Sequence, residues 1–194
     1  MAEQIFLNED ISDFFENAAL PLHWVGPDGT IIRANKYELD SLGYTREEYE
    51  GHSIVEFHAD QDVIEDILGR LKRGETLVDY EARMVAKDGS IRHVLINSNV
   101  RWDGDEFVHT RCFTRDITAT RFAEEEMRRR AMELNDQVVQ DVALAKISIE
   151  MGDTNKATGA LDRALSSAKE VVSHLLSSAK KVRPGDFARE REPS

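Results

Sequence analysis

The sequence predicts an α+β chain in two parts, a five-stranded antiparallel sheet with helices on one face followed by an antiparallel α-helical hairpin. Three observations carry this. Five short β-prone runs are punctuated by Gly- and Asp-rich turns, an amphipathic helical segment separates the first two runs from the last three, and from Ala119 onward no β-prone run occurs while Ala, Glu, Arg and Leu dominate. Hairpin-linked strands give an antiparallel sheet, and the interspersed helices must cover one of its faces.

Each element has a local reason. Ile11, Phe14, Phe15 and Ala18 recur at helical spacing after acidic residues, which predicts a first helix over residues 8–18. LHWV and TIIRA flank the turn Gly26-Pro27-Asp28-Gly29 and read as two paired strands. A brief helix over Lys36–Leu42 stops at Gly43. A second opens at the capping box Thr45-Arg46-Glu47-Glu48 and stops at Gly51. The segment GHSIVEFHAD that follows reads as a loop. Asp60–Leu71 carries Val63, Ile64, Ile67, Leu68 and Leu71 on one face of a longer helix ended by Gly74. Strands are predicted over Leu77–Ala86, Ile91–Arg101 and Phe107–Ile117, with turns at Lys87-Asp88-Gly89-Ser90 and Asp103-Gly104-Asp105. Alternation does not settle which strand face points inward, because both faces of VLINSNV and EFVHTRCF mix apolar and polar residues.

Beyond Ala119, two helical stretches are joined by the stop and cap Gly152-Asp153-Thr154-Asn155. Met127, Ala131, Leu134, Val138, Val142, Ala145 and Ile149 mark one face of the first. Leu161, Leu165, Ala168, Val172, Leu175 and Ala179 form a heptad seam on the second. A lone hairpin leaves much of this stripe wet, and a fully buried Leu or Val is worth about 1.5–3 kcal/mol, so the expected state is a homodimeric four-helix bundle. Residues 181–194, charged and Pro-containing, read as a mobile tail.

Composition excludes several function classes. A net charge of -12 over 194 residues disfavours nucleic acid as a partner, since such binding needs a basic face. No apolar run is long enough to span a membrane, and the acidic start MAEQIFLNED lacks signal-peptide features, so a cytoplasmic location is expected. The single cysteine, Cys112, rules out an intramolecular disulfide and reads as a small packed residue.

The successive segments WVGPDGTIIRAN, LGYTREEYEG, KDGSIRHV and FTRDIT resemble the signatures of PAS domains, over roughly Ile11 to Thr118. This resemblance implies a sensor domain at residues 8–118, with the hairpin at 119–180 as its output. Within the hairpin, Glu133-Leu134-Asn135-Asp136-Gln137-Val138-Val139-Gln140 resembles the E-L-H-D-x-x-x-Q motif of HDxxxQ-class histidine kinases, with Asn135 at the phosphoacceptor position. An Asn amide nitrogen is delocalised and is not a nucleophile, so autophosphorylation there is excluded. The chain contains no Gly-rich phosphate-binding loop either. It reads as a pseudo-histidine kinase whose bundle docks a response-regulator receiver domain or a histidine kinase. In the kinases it resembles, the Gln orients water against a receiver's aspartyl phosphate, so Asp136 and Gln140 are candidate catalytic residues of a phosphatase; docking contacts or remnants are the plainer reading.

Cofactor expectations are largely negative. The six histidines show no i, i+4 metal pair, and no metal site is expected. The haem-ligand position of PAS oxygen sensors falls near Val63, and GHSIVEFHAD lacks the cysteine of flavin-binding photoreceptor relatives. A small non-covalent ligand between sheet and helices remains open, with Trp24, His58, His93 and His109 as candidates to line or rim it. The alternative is a core filled by its own side chains.

Overall fold

The computed structural model describes residues 2–179; the tail expected over 181–194 lies outside the described residues. The chain divides into two compact units, Met1–Phe122 and Ala123–Ser194.

In the first unit, α1 (Ala2–Asn17) precedes the hairpin of β1 (Leu22–Val25) and β2 (Ile31–Ala34). The hairpin closes because Asp28 accepts from the Thr30 backbone N–H at 2.9 Å while Gly29 takes φ +89, a conformation that needs no Cβ. Helix α2 (Lys36–Leu42) is capped by Asn35, whose Oδ1 accepts from the Glu38 N–H. Asn35 is fully buried; it also accepts from the Leu22 N–H and donates to the Leu20 carbonyl, so one side chain ties β1 to α2. The Thr45/Glu48 capping box opens α3 (Arg46–Tyr49). The segment read as a loop contains a 3₁₀ turn, Ile54–Phe57, opened by a second capping box between Ser53 and Glu56 and anchored by burial of Ile54 and Phe57. Next come α4 (Gln61–Lys72) and the meander β3 (Leu77–Val85), β4 (Ile91–Asp103) and β5 (Glu106–Asp116).

The five strands lie in the order β2-β1-β5-β4-β3, every pair antiparallel. The sheet's inner face packs on α2, α3 and α4. Ile31, Tyr49, Ile64 and Met84 are each no more than 1% exposed, and Val25, Phe57, Ile67, Leu71 and Ile96 complete the core around them. The outer face is partly covered by α1, where Phe15 lies 4.9 Å from the Trp24 ring. Helix α5 (Thr118–Glu150) begins one residue after β5. The Asp116 carboxylate accepts from the Thr118 N–H at 2.7 Å, and the Thr118 hydroxyl accepts from the His93 N–H at 2.9 Å, which fastens the first turn to β4.

The second unit holds the rest of α5 and α6 (Thr154–Ala179), turned by Gly152 at φ +77 and by Asp153, whose carboxylate accepts from the Lys156 N–H. Small residues form the hairpin seam. Asp141, Ala145 and Ser148 are buried on α5, as are Ala157, Ala160 and Ala164 on α6. Of the faces read from spacing, Ala145 is buried in this seam, while Val142 and Ile149 on α5 and Leu161, Leu165 and Val172 on α6 are exposed in the single hairpin. Alanines let two helix backbones approach closely, so they take the inside of the hairpin and the larger aliphatic side chains point away.

Candidate functional site

The inner face carries a set of polar groups in an otherwise apolar core. Glu38, on the first turn of α2, is 1% exposed, and three groups converge on its carboxylate. His23 Nδ1 on β1 lies 2.9 Å from Oε1, the Tyr49 hydroxyl donates to Oε1 at 3.0 Å, and the Thr114 hydroxyl on β5 donates to Oε2 at 3.0 Å. A buried carboxylate is tolerated only with this degree of pairing. Burial alone would raise the Glu38 carboxyl, but the His23 charge and the three hydrogen bonds prevail and hold it below the ordinary carboxylate value. Burial likewise works against a charged His23; the neighbouring Cys112 sulfur and the Glu38 carboxylate overcome it and raise the ring well above its ordinary value. Burial, with Glu38 adding to it, pushes the Tyr49 phenol well up, so Tyr49 is a donor throughout the physiological range.

Beside this cluster is a small internal cavity of about 20 Å³, enough for one water molecule. His23, Val25, Ser98, Thr110 and Cys112 of the sheet form one wall; Ile54, His58 and the α4 residues Ile64, Ile67, Leu68 and Leu71 form the other. Two of the lining polar atoms, His58 Nε2 and Ser98 Oγ, are sealed from solvent and make no hydrogen bond among the described residues. His58 Nδ1 is 3.1 Å from the Ile54 carbonyl. Burial, only partly offset by that bond, pushes the His58 ring down to about 4, so it is neutral at neutral pH.

The four residues expected at the cleft are dispersed by the structure. His58 lines the cavity. Trp24 and His109 do not: strand alternation turns them to the outer face, where their rings stack at 4.5 Å, and His109 Nδ1 meets the Thr110 carbonyl at 2.8 Å. His93 also lies away from it, with its ring 6.5 Å from Phe122 at the start of α5. Sequence reasoning missed His23, Glu38, Tyr49, Ser98 and Thr114. One signal was present, since Glu38 shares the apolar face of a short helix with Leu39 and Leu42.

A larger surface cleft of about 770 Å³ lies between α1 and the β2/α3 region. Its cations already have partners: Arg46 is paired with Glu16 and Glu50, and Arg33 donates to Ser12 and lies over Phe15. Among the described residues no group of three or more His, Cys, Asp or Glu is arranged to hold a metal ion. No described helix is long and apolar enough to cross a membrane.

On the hairpin, Asn135, Asp136 and Gln140 are all exposed on α5. Asp136 and Gln140 are four residues apart and share one face of the helix. Asp141, the next residue, is buried and receives two bonds from the Arg163 guanidinium at 2.8 and 3.0 Å.

Comparison with known proteins identifies the first unit. The PAS domain of an HTR-like protein from Haloarcula marismortui is 24% identical, covering 60% of this chain and 96% of its own, with a TM-score of 0.53. A domain of a sensory box sensor histidine kinase/response regulator from Geobacter sulfurreducens is 21% identical over 58% of this chain and 96% of its own, with a TM-score of 0.51. A PAS domain from Colwellia psychrerythraea gives 22% identity, 58% and 98% coverage and a TM-score of 0.51. No curated protein matches the chain. The family model for the PAS domain matches residues 6–119, more than half of the sequence, and the chain belongs to the PAS domain family.

Proposed function

We propose that this chain is a signal-transduction adaptor in which the PAS interior holds a small ligand and the hairpin, paired with a second copy as a four-helix bundle, docks a response-regulator receiver domain or a histidine kinase. The observation that carries the output half is the exposed aliphatic stripe. Met132, Val139, Val142 and Ile149 on α5, with Leu161, Leu165 and Val172 on α6, are all between 48% and 63% exposed, at heptad-like spacing. Covering such residues at about 1.5–3 kcal/mol each favours a like surface as partner, and a second copy supplies one by symmetry. Asn135 at the phosphoacceptor position of the HDxxxQ-like segment leaves that position without a nucleophile for phosphate.

The experiment is light scattering of the purified chain, followed by its titration with phosphorylated and unphosphorylated receiver domains. A dimer that binds a receiver supports the reading; a monomer at tens of micromolar, or a dimer that binds neither receivers nor kinases, rejects it.

A second reading is favoured by the exposure of Gln140 beside Asp136: the hairpin accelerates hydrolysis of a receiver's aspartyl phosphate, with Gln140 orienting water. Gln140→Ala then lowers dephosphorylation by roughly 10²–10³-fold, the usual loss for one preorganised polar group. A phosphate lifetime unchanged by the wild-type chain rejects this activity.

A further inference from the structure

The two unpartnered polar atoms of the interior cavity define what the cavity accepts. The Ile54 carbonyl can only accept a hydrogen bond, so the facing His58 Nδ1 carries the ring proton, and in the neutral ring Nε2 is then a bare, unpartnered lone pair on a residue that lines the cavity. Burial, which lowers the proton affinity of His58, keeps the ring in its neutral form. Ser98, 4% exposed, brings a hydroxyl that both donates and accepts. Around these two groups the wall is aliphatic, with Ile64, Ile67 and Leu68 of α4 opposite the sheet.

We infer that the cavity selects a small neutral molecule with a hydroxyl or amide N–H, which donates to His58 Nε2 and accepts from the Ser98 hydroxyl while its carbon body lies against Ile64, Ile67 and Leu68. An anion is disfavoured because it would face the His58 lone pair, and the one cationic group in the wall, His23, is already matched by Glu38. An ammonium would enter an aliphatic space with no carboxylate free to meet it, since the Glu38 oxygens already receive three hydrogen bonds. A metal ion would find an imidazole lone pair and no further arranged ligand set among the described residues. Because the free space equals about one water, a ligand with more carbon must displace α4 side chains outward, which couples occupancy to helix position.

The inference rests on the reading of the PAS interior as a ligand site, and it adds the chemical class. The test is titration of the full chain with 1-propanol, propionamide, propionate and propylammonium, followed by amide chemical shifts of Ser98, Cys112 and Ile64. The same series is run on Ile67→Ala, which enlarges the cavity. Saturable shifts with 1-propanol or propionamide are expected, tightened at least several-fold in Ile67→Ala and weakened about ten-fold or more in Ser98→Ala. Propionate and propylammonium should give none. If a charged probe binds as tightly as the neutral ones, the assigned class is wrong while the ligand reading stands. If no probe gives saturable shifts in either protein, both are overturned.

Discussion

His23 and Glu38 meet at 2.9 Å inside the PAS core, with 4% and 1% of their surfaces exposed, and they join the first strand to the first helix after the hairpin. The imidazole and the carboxylate come from residues 15 apart in sequence, and Tyr49 and Thr114 complete the shell from two further elements.

Glu38→Ala leaves a buried imidazole facing a void and should cost about 3–5 kcal/mol, the usual penalty for breaking a buried pair from one side. Tyr49→Phe removes one bond to a charged acceptor and should cost about 1.5–3 kcal/mol. Urea unfolding of both variants at pH 7 measures this; a loss below about 1 kcal/mol for Glu38→Ala contradicts the paired description.

His23 and His58 act in opposite directions on stability. His58 has a folded value of about 4 against an ordinary 6.5, so the unfolded chain binds the additional proton between those limits. Stability should therefore fall as pH drops from 6.5 towards 4, by on the order of 3 kcal/mol. His23 is raised, so its contribution is full below pH 6.5 and is lost as pH climbs through its folded value. Glu38 is lowered from 4.5, so its contribution is present above that pH and lost as pH falls through the folded value. Unfolding midpoints across pH 4–9 should show His58→Leu flattening the acid limb and His23→Gln flattening the alkaline one.

Arg163→Ala removes the donor to a buried carboxylate on α5, whose Oδ2 has no hydrogen-bond partner among the described residues. The cost should be about 1–3 kcal/mol, less than for a fully enclosed pair because the Arg163 side chain is 54% exposed. Asp141→Asn in the same background should recover part of it. Helical content against temperature reads both, and no recovery would mean that the charge of Asp141 is not the source of the loss.

Leu165→Asp places a charge in the exposed stripe of α6, where the wild-type side chain is 56% exposed. If two copies pair there, sedimentation should change from dimer to monomer, while the PAS unit keeps its unfolding free energy within about 0.5 kcal/mol of the parent. An unchanged sedimentation coefficient would remove that stripe as the contact.

Where one periodicity dominates, the sequence is directly legible. The stripe of Ile64, Ile67 and Leu71 is buried as spacing predicts, and α2 runs over Lys36–Leu42 with its stop at Gly43. The polar cluster was not legible, because Glu38 also looks like an ordinary acidic residue in a helix's first turn and His23 stands in the apolar run LHWV. Neither could the faces of β5 be assigned in advance. Both His109 on the outside and Cys112 on the inside are buried, since α1 and the stacked Trp24 shield part of the outer face. In the hairpin, the alanines and small residues that join the two helices were not legible, because seven-residue spacing draws attention to the large aliphatics, which are exposed in the single hairpin.

Ile117 alone separates the last strand from a 33-residue helix. At 1.5 Å per residue such a helix is roughly 50 Å long, and its base is stitched to β4 through Thr118. The one-residue joint leaves no loop between β5 and Thr118, so the sheet holds the first turn of the helix by its backbone.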